Sequence, residues 1–445
     1  LGGSMEFTSV YKQFAAMLEQ HCSHRIQQGF TVALSGGVDS VVLLHLCHQY
    51  ASRFDALPIK AVYVNHGLSE NALQWQQFCE QLCQSLSISF HAAMVTIQPK
   101  SRVSLEAQAR EARYKALDEH ALYGSTLLLG QHADDQVETF LIRLKRGSGL
   151  QGLGAMKTAT MLSSGRYCVR PLIHIERQDI EAFAKTFGLQ HIEDESNLRD
   201  VFDRNFLRNQ VLPLLKSRFK GFVPSVLRSI SILQAQQELI DEISESDLAR
   251  CTHEACLVVA DLKQLSALRQ SNVVRAWLSK RNVEMPSKKQ LEQILRQSIS
   301  ARRDAQVNIQ LAQGSVKLYQ GRLYWLDKNL PAMVEVKNLS MIDPVTIACG
   351  FTLILCEGKG VRKPQPTEHV SLRFNCLNDK VKPLGKPGRN TIKHWLKDLK
   401  VPTWERERVP LIYYNETFVA AVGRFVSEEF ASEQGVYWKV INEKK

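Results

Sequence analysis

At 445 residues the chain is too long for one compact core, and two or three domains are expected. Its composition, 44% hydrophobic and 23% charged, is that of an ordinary globular protein, and no apolar run is long enough to span a membrane, which argues against an integral membrane protein. The formal net charge of +11 favours a polyanionic partner, with a solvated basic surface as the alternative.

Leu1-Gly2-Gly3-Ser4 reads as a tag remnant ahead of a natural start at Met5. No apolar signal core follows, so a cytoplasmic location is expected. The ten cysteines form no C-x-x-C pair, which leaves a zinc knuckle without support and fits a reducing compartment.

The first strong element is Phe30-Thr31-Val32-Ala33-Leu34, a predicted buried strand. Ser35-Gly36-Gly37-Val38-Asp39-Ser40 follows, then a helical Val41-Val42-Leu43-Leu44-His45-Leu46. Strand, glycine-rich loop and helix N-terminus together make an anion site. The glycines admit close approach of backbone N–H groups, the serines add hydroxyl donors, and the helix dipole favours negative charge. An ordinary glycine turn is the alternative. No Walker A string occurs in the chain. Further strands are predicted over 59–64, 87–91 and 126–130, alternating with helices, so an α/β fold built on an open parallel sheet with helices on both faces is expected. The loops at 35–40, 65–67 and 130–138 follow strands and would converge on one crevice at their carboxyl ends.

The predicted helix 104–114 places Glu106, Arg110 and Arg113 on one face, which by itself reads as a solvated, salt-bridged stripe. In Gly130-Gln131-His132-Ala133-Asp134-Asp135-Gln136-Val137-Glu138-Thr139, Asp135 and Glu138 lie three apart on one helical face. Paired carboxylates beside a triphosphate are expected to hold Mg²⁺, with Asp39 joining them. Capping of a helix N-terminus by acids is the alternative. Arg143-Leu144-Lys145-Arg146-Gly147-Ser148-Gly149 is a basic loop suited to phosphate or RNA backbone, or else a helix C-cap. Arg204 and Arg208, one turn apart, suit a phosphate or an adenylate as well as they suit a surface face.

Helical sequence over 205–245 sets a domain boundary in 216–224. Helices at 264–280 and 288–299 precede a small sheet over 307–326, and 331–345, with Pro331 and Pro344, reads as a linker. The last stretch mixes strands at 351–355, 370–374 and 418–422 with a helix at 391–399. Residues 361–408 hold twelve Lys/Arg against five Asp/Glu. The expected division is 5–220, 221–335 and 345–440, the last two being smaller α+β domains.

Residues 35–40, 130–139 and 143–156 (RLKRGSGLQGLGAM), then Ser196-Asn197 and Arg204-Asn205-Phe206-Leu207-Arg208, occur in one order. Together they resemble the tRNA(Ile)-lysidine synthetases, a branch of the PP-loop ATP pyrophosphatases. Residues 388–397 (GRNTIKHWLK) and 401–410 (VPTWERERVP) are similar to the C-terminal RNA-binding domain of the longer members. The chain departs from the family pattern at Glu195, where members often carry proline, and at Asn390-Thr391, a variant of a more basic segment.

The resemblance implies a two-step reaction. ATP adenylates the C2 oxygen of the wobble cytidine in CAU-anticodon isoleucine tRNA, and the ε-amine of free L-lysine then displaces AMP to give lysidine. It implies ATP bound by Ser35, Gly36, Gly37, Val38, Asp39 and Ser40, and Mg²⁺ held by Asp39, Asp135 and Glu138. Glu138 would help to deprotonate the lysine, and Arg113 and Arg204 would stabilise charge on the base or on AMP. Arg143, Lys145, Arg146, Arg208, Arg389, Lys393, Lys397 and Arg406 would contact tRNA. Monomer and homodimer both stay open, and no membrane partner is expected. The rival reading is a PP-loop tRNA thiolase, although the C-x-x-C pair of one such group is absent.

Overall fold

The computed structural model describes residues 4–55, 57–65, 71–96, 105–193, 203–300 and 307–442. His66, Gly67, Glu195, Ser196 and Asn197 lie outside the described residues, as does the side chain of Glu106. The chain divides into two compact units, Leu1–Asp241 and Glu242–Lys445.

The first unit runs α1 (Ser9–Cys22), β1 (Phe30–Ala33), α2 (Val38–Ala51), β2 (Ile59–Asn65), α3 (Ala72–Ser85), β3 (Ser89–Met94), α4 (Leu105–His120), β4 (Thr126–Leu128) and α5 (Ala133–Lys145). It continues through α6 (Leu150–Leu153), β5 (Ala159–Met161), β6 (Tyr167–Val169), α7 (Arg177–Thr186), α8 (Asp203–Phe206), a π-helical turn (Leu207–Val211), α9 (Leu212–Arg218) and the first part of the long α10 (Phe222–Cys251), whose residues from Glu242 on belong to the second unit.

The sheet order is β3-β2-β1-β4-β6-β5. All neighbours pair in parallel except β5 and β6, a hairpin closed at Gly165 (φ +85°), so the expected parallel sheet is mixed at one edge. Strand periodicity sorts the central side chains to the two faces. Phe30, Val32, Ala61, Tyr63 and Leu128 join a core with α1, α2 and α7, whereas Ala33, Val62, Leu127 and Leu129 meet Leu117 of α4. Helix α2 is apolar nearly all round and is buried along most of its length, as a helix inside a layered fold must be.

In the second unit, β7 (Thr252–His253), β8 (Cys256–Val258), β9 (Val307–Gln310), β10 (Gly314–Tyr319) and β11 (Arg322–Asp327) form an antiparallel sheet of order β7-β8-β11-β10-β9. Three helices, α11 (Val259–Leu262), α12 (Ala267–Ser279) and α13 (Lys288–Ile299), pack on it around Trp277, Ile294, Val316 and Leu323. The chain then forms β12 (Val345–Ala348), β13 (Phe351–Val361), β14 (Val370–Arg373), β15 (Lys380–Val381) and β16 (Asn390–Thr391). It ends with α14 (Ile392–Asp398), α15 (Thr403–Arg406), β17 (Leu411–Tyr414), β18 (Thr417–Ala421), β19 (Phe425–Val426) and β20 (Ala431–Asn442).

Two antiparallel sheets, β12-β13-β20 and β14-β17-β18-β19, share a core that includes Val361, Leu372, Ile412, Val419 and Trp438. Residues 331–345, expected as a linker from two prolines, are instead bonded into this core. Val336 and Leu372 exchange backbone hydrogen bonds of 3.0 and 2.8 Å, and Leu339 is buried. Among the described residues no helix is long and apolar enough to cross a membrane.

Candidate active site

The strand order reverses between β1 and β4, and in open α/β sheets such a switch point opens a crevice at the carboxyl ends of the strands. The loops after these two strands meet there. Gly36 takes φ +89°, and a Cβ on it would stand 2.6 Å from Ile192 Cδ1, so only glycine fits. Two serines staple the loop. The Ser40 hydroxyl donates to Gly37 O (3.0 Å) and accepts from Ser35 N–H (3.1 Å), with Ser35 Oγ also 3.1 Å away. Gly130 lets the second loop close in, since its Cβ would lie only 3.4 Å from Asp39 C and O. The result is a glycine loop at the N-terminus of α2 with the N-terminus of α5 beside it.

At the start of α5, consecutive acids face opposite tasks. Asp134 accepts the N–H of Arg177 at the N-terminus of α7 (2.9 Å) and pairs with Lys216, so it ties elements together. Asp135 accepts the N–H of His132 (3.0 Å) and pairs with Arg208 (2.9 Å). His132 is 1% exposed and places Nε2 at 3.5 Å from Asp39 and 3.4 Å from Asp135, bridging the two loops. Burial pulls its pKa down, but Asp135 and Asp39 outweigh this and lift it to about 9, so the bridge carries an imidazolium at neutral pH.

Glu138 is fully buried. Arg208 reaches both its oxygens, Nε to Oε1 at 2.7 Å and Nη2 to Oε2 at 3.1 Å, and Arg204 brings Nε to 3.2 Å. Arg204 also donates to Thr139 Oγ1 (3.0 Å). Burial raises the proton affinity of Glu138, against the pull of Arg208, while His132 and the two arginines overcome burial at Asp135 and lower its pKa. Arg113 is half-buried, feels the Asp135 charge and, among the described residues, takes no side-chain hydrogen bond.

Among the described residues no three His, Cys, Asp or Glu side chains converge as a ready-made metal site. Asp135 and Glu138 have their oxygens engaged by nitrogen donors, whereas Asp39 Oδ1 is buried with no hydrogen-bond partner among the described residues. One open carboxylate beside a phosphate loop fits Mg²⁺, which takes one or two carboxylates and completes its shell with phosphate oxygens and water.

Comparison with known proteins places these features in one family. A PP-loop domain model matches residues 8–215, a TilS substrate binding domain model 257–324, and a TilS substrate C-terminal domain model 370–441. The tRNA(Ile)-lysidine synthase of Shigella flexneri is 38% identical over 406 residues, 90% of this chain and 93% of that protein. That of Vibrio parahaemolyticus is 37% identical over 430 residues, 96% and 97% of the two chains, and that of Photobacterium profundum 39% over 412 residues, 91% and 93%. The chain belongs to the tRNA(Ile)-lysidine synthase family.

The basic residues expected to meet tRNA in this lysidine synthase family member divide by environment. Arg389, Lys393 and Lys397 are exposed, the two lysines one turn apart on α14. Lys145 and Arg146 are exposed as well, Lys145 pairing with Asp203 at 2.8 Å. Arg208 belongs to the acid cluster. Arg143 turns onto Gly152 O and Ala155 O, both at 2.8 Å. Arg406 is buried, donating to Val401 O (2.9 Å) and the Tyr319 hydroxyl (3.0 Å).

Three site features are not legible in the sequence. His132 stands inside its motif with nothing local to mark it as a bridge. Gln136 pairs both its amide oxygen and nitrogen with the backbone of Met156 (2.8 Å each), and Gln234 of α10 donates to Gly154 O (2.6 Å) and Met156 O (3.1 Å). The glycine-rich loop 149–156 is thus clamped by side chains far from it in sequence, a pairing that no local pattern announces.

Proposed function

We propose that this member of the family joins free L-lysine to C2 of the wobble cytidine in CAU-anticodon isoleucine tRNA. The cytidine O2 attacks the α-phosphate of ATP and pyrophosphate leaves. The lysine ε-amine then attacks C2, the C2–O bond breaks, AMP departs with the oxygen, and the amine gives up its proton. The observation that carries this reading is the near-full-length likeness to lysidine synthases, joined to a glycine loop with acids and arginines beside it.

In this reading the amides and hydroxyls of residues 35–40 hold the ATP phosphates at the N-terminus of α2. Asp39 is the carboxylate offered to Mg²⁺, and Asp135 and Glu138 complete the acidic wall. Mg²⁺, when bound, supplies charge neutralisation on the phosphates. A free lysine amine is mostly protonated at neutral pH, so it needs a base. Glu138 is our choice, because burial raises its proton affinity. It accepts the proton as one of its arginine contacts gives way. Arg113, without a hydrogen-bonded partner among the described residues, and Arg204, beside Glu138, would offset charge on the leaving AMP.

We further propose three working parts, 5–220 for chemistry, 221–335 for substrate recognition and 345–440 for gripping tRNA through phosphates at Arg389, Lys393 and Lys397. A cytoplasmic location suits ten free thiols. The test is transfer of radiolabelled lysine, with ATP and Mg²⁺, to isoleucine CAU tRNA and to elongator methionine tRNA. Label on the isoleucine tRNA alone is expected. Pyrophosphate release without label on either tRNA would keep the nucleotide chemistry and overturn the choice of nucleophile.

A further inference from the structure

The arginines of α4 do not form the salt-bridged stripe expected of them. Among the described residues neither Arg110 nor Arg113 has an ion pair. Arg110 is exposed, and its guanidinium lies over the Tyr114 ring, 5.6 Å from the centroid, with no hydrogen bond among the described residues. Tyr114 is fixed from the sheet. Its hydroxyl accepts from Arg170 Nη2 (3.3 Å), just past β6, and Arg170 donates through Nη1 to Lys157 O (2.9 Å). Arg143 of α5 holds the same stretch at Gly152 O and Ala155 O, 2.8 Å each. Residues 152–157 thus link α4 to α5.

Arg146, exposed at the C-terminus of α5, completes the group. Burial lowers the pKa of Arg143, and the charges of Arg110 and Arg146 lower it further, the mark of cations gathered without an anion. Arg113, three residues along α4 from Arg110, feels the charge of Asp135, so the group starts beside the acid cluster and runs outward to exposed side chains. Asp203, the acid near Arg146, already pairs with Lys145 at 2.8 Å. None of the four arginines forms an ion pair among the described residues. The dipole at the end of α5 accounts for Arg146 alone. It gives no reason for Arg110, which stands near the start of another helix.

We propose that Arg110 and Arg146, with Arg113 and Arg143 adding charge behind them, bind the sugar-phosphate strand of the anticodon loop beside the wobble cytidine. The proposal rests on the tRNA reading above and brings α4 into RNA binding. The wobble base can reach the acids only if the backbone on either side of it lies at the mouth of the crevice. Helix α4 spans that distance, with Arg113 toward Asp135 and Arg110 in solvent. One small anion would occupy one or two guanidinium groups, whereas a run of phosphates uses several spread over two helices. The planar fork of arginine matches phosphate oxygens, and single strands with splayed bases are commonly held this way. Such contacts fix register and orientation and carry no sequence information.

The test measures binding of the full chain to an isolated CAU anticodon stem-loop and to the complete isoleucine tRNA transcript. Arg110→Ala with Arg146→Ala should raise Kd for the stem-loop about tenfold and flatten the plot of log K against log salt by about 0.7 for each phosphate released. Arg110→Lys with Arg146→Lys should keep the slope, because the charges remain. Both double variants should melt with wild type, since both side chains are exposed. The alanine variant should lose equally on a stem-loop with a changed anticodon. A loss confined to the CAU loop would mean base reading and overturn the assignment to phosphates. A loss seen only with the complete transcript, or none at all, would overturn the placement beside the wobble cytidine. Wild type that binds the stem-loop yet transfers no lysine to the complete tRNA would fail the lysidine reading and leave this comparison intact.

Discussion

Arg208 grips the fully buried carboxylate of Glu138 with two nitrogens, at 2.7 and 3.1 Å, while keeping Asp135 at 2.9 Å. One guanidinium thereby fixes both acids of the site. Arg208→Met should lower kcat for lysine transfer on the order of 10²-fold, because the acids lose their shared anchor. Stability should fall by less than the ~3–5 kcal/mol of a fully orphaned buried charge, since Arg204 still reaches Glu138. Denaturant melts and single-turnover rates check both; a stable variant with wild-type rate would remove Arg208 from the arrangement.

Asp134 and Asp135 are adjacent and chemically alike, but only Asp135 faces His132 and Arg208. Asp135→Asn should abolish lysine transfer with little loss of stability, as the amide still accepts the His132 N–H. Asp134→Asn should retain turnover and lose about 1–2 kcal/mol through the weakened Lys216 pair and α7 cap. Parallel kcat and Tm measurements separate the two.

The nucleotide loop gives an equally sharp pair. Gly36→Ala forces an alanine to φ +89° with its Cβ against Ile192, whereas a Cβ on Gly37 meets nothing nearer than Ser35 Oγ at 3.7 Å. The first variant should lose about 1–2 kcal/mol and raise KM for ATP more than tenfold. The second should fold as wild type. Equal Tm values for both would contradict the loop geometry.

Surface and buried cations should behave differently toward tRNA. Replacing Arg389, Lys393 and Lys397 together with alanine should weaken binding and flatten the plot of log K against log salt by about 0.7–0.9 for each phosphate no longer neutralised. Arg406→Ala should destabilise the second unit by removing the bonds to Val401 and Tyr319, with the salt slope unchanged. Titrations at several salt concentrations read this directly.

Glu368 supplies a pH prediction. Arg362 chelates it (2.7 and 2.6 Å) and Gln365 N–H donates to it (2.7 Å), which lowers its pKa to about 2. A carboxyl depressed on folding contributes stability in full above its unfolded pKa of about 4.5. That contribution fades as pH falls from there through about 2. Glu368→Gln should therefore melt lower than wild type at pH 7, with the gap closing across that acid window in thermal scans.

Much of the fold is readable because the sequence states it locally. Helix α13 begins and ends where its pattern does, Ser287 and Gln290 forming a capping box at its start. Strand β3 starts two residues later than expected because Ser87 takes φ +55° to leave α3. The antiparallel β5 leaves no periodic signal, being three residues long on an edge. Within the site, the phosphate loop and the acids are legible as strings. Arg208 reads as a tRNA-facing cation, since its spacing from Arg204 says nothing of the π-helical turn that carries it or of the buried acid it meets. Arg406 looks exposed in a basic run for the same reason.

The clamp of Gln136, Gln234 and Arg143 on the backbone of residues 152–156 means that the loop's shape is stored outside the loop. An insertion or deletion within that stretch would slide its carbonyls out of register with three fixed donors at once. Transplanting the loop into a related scaffold would succeed only if the matching side chains on α5 and α10 travelled with it, so the stretch is exchangeable as a cassette of three segments and not as a single peptide.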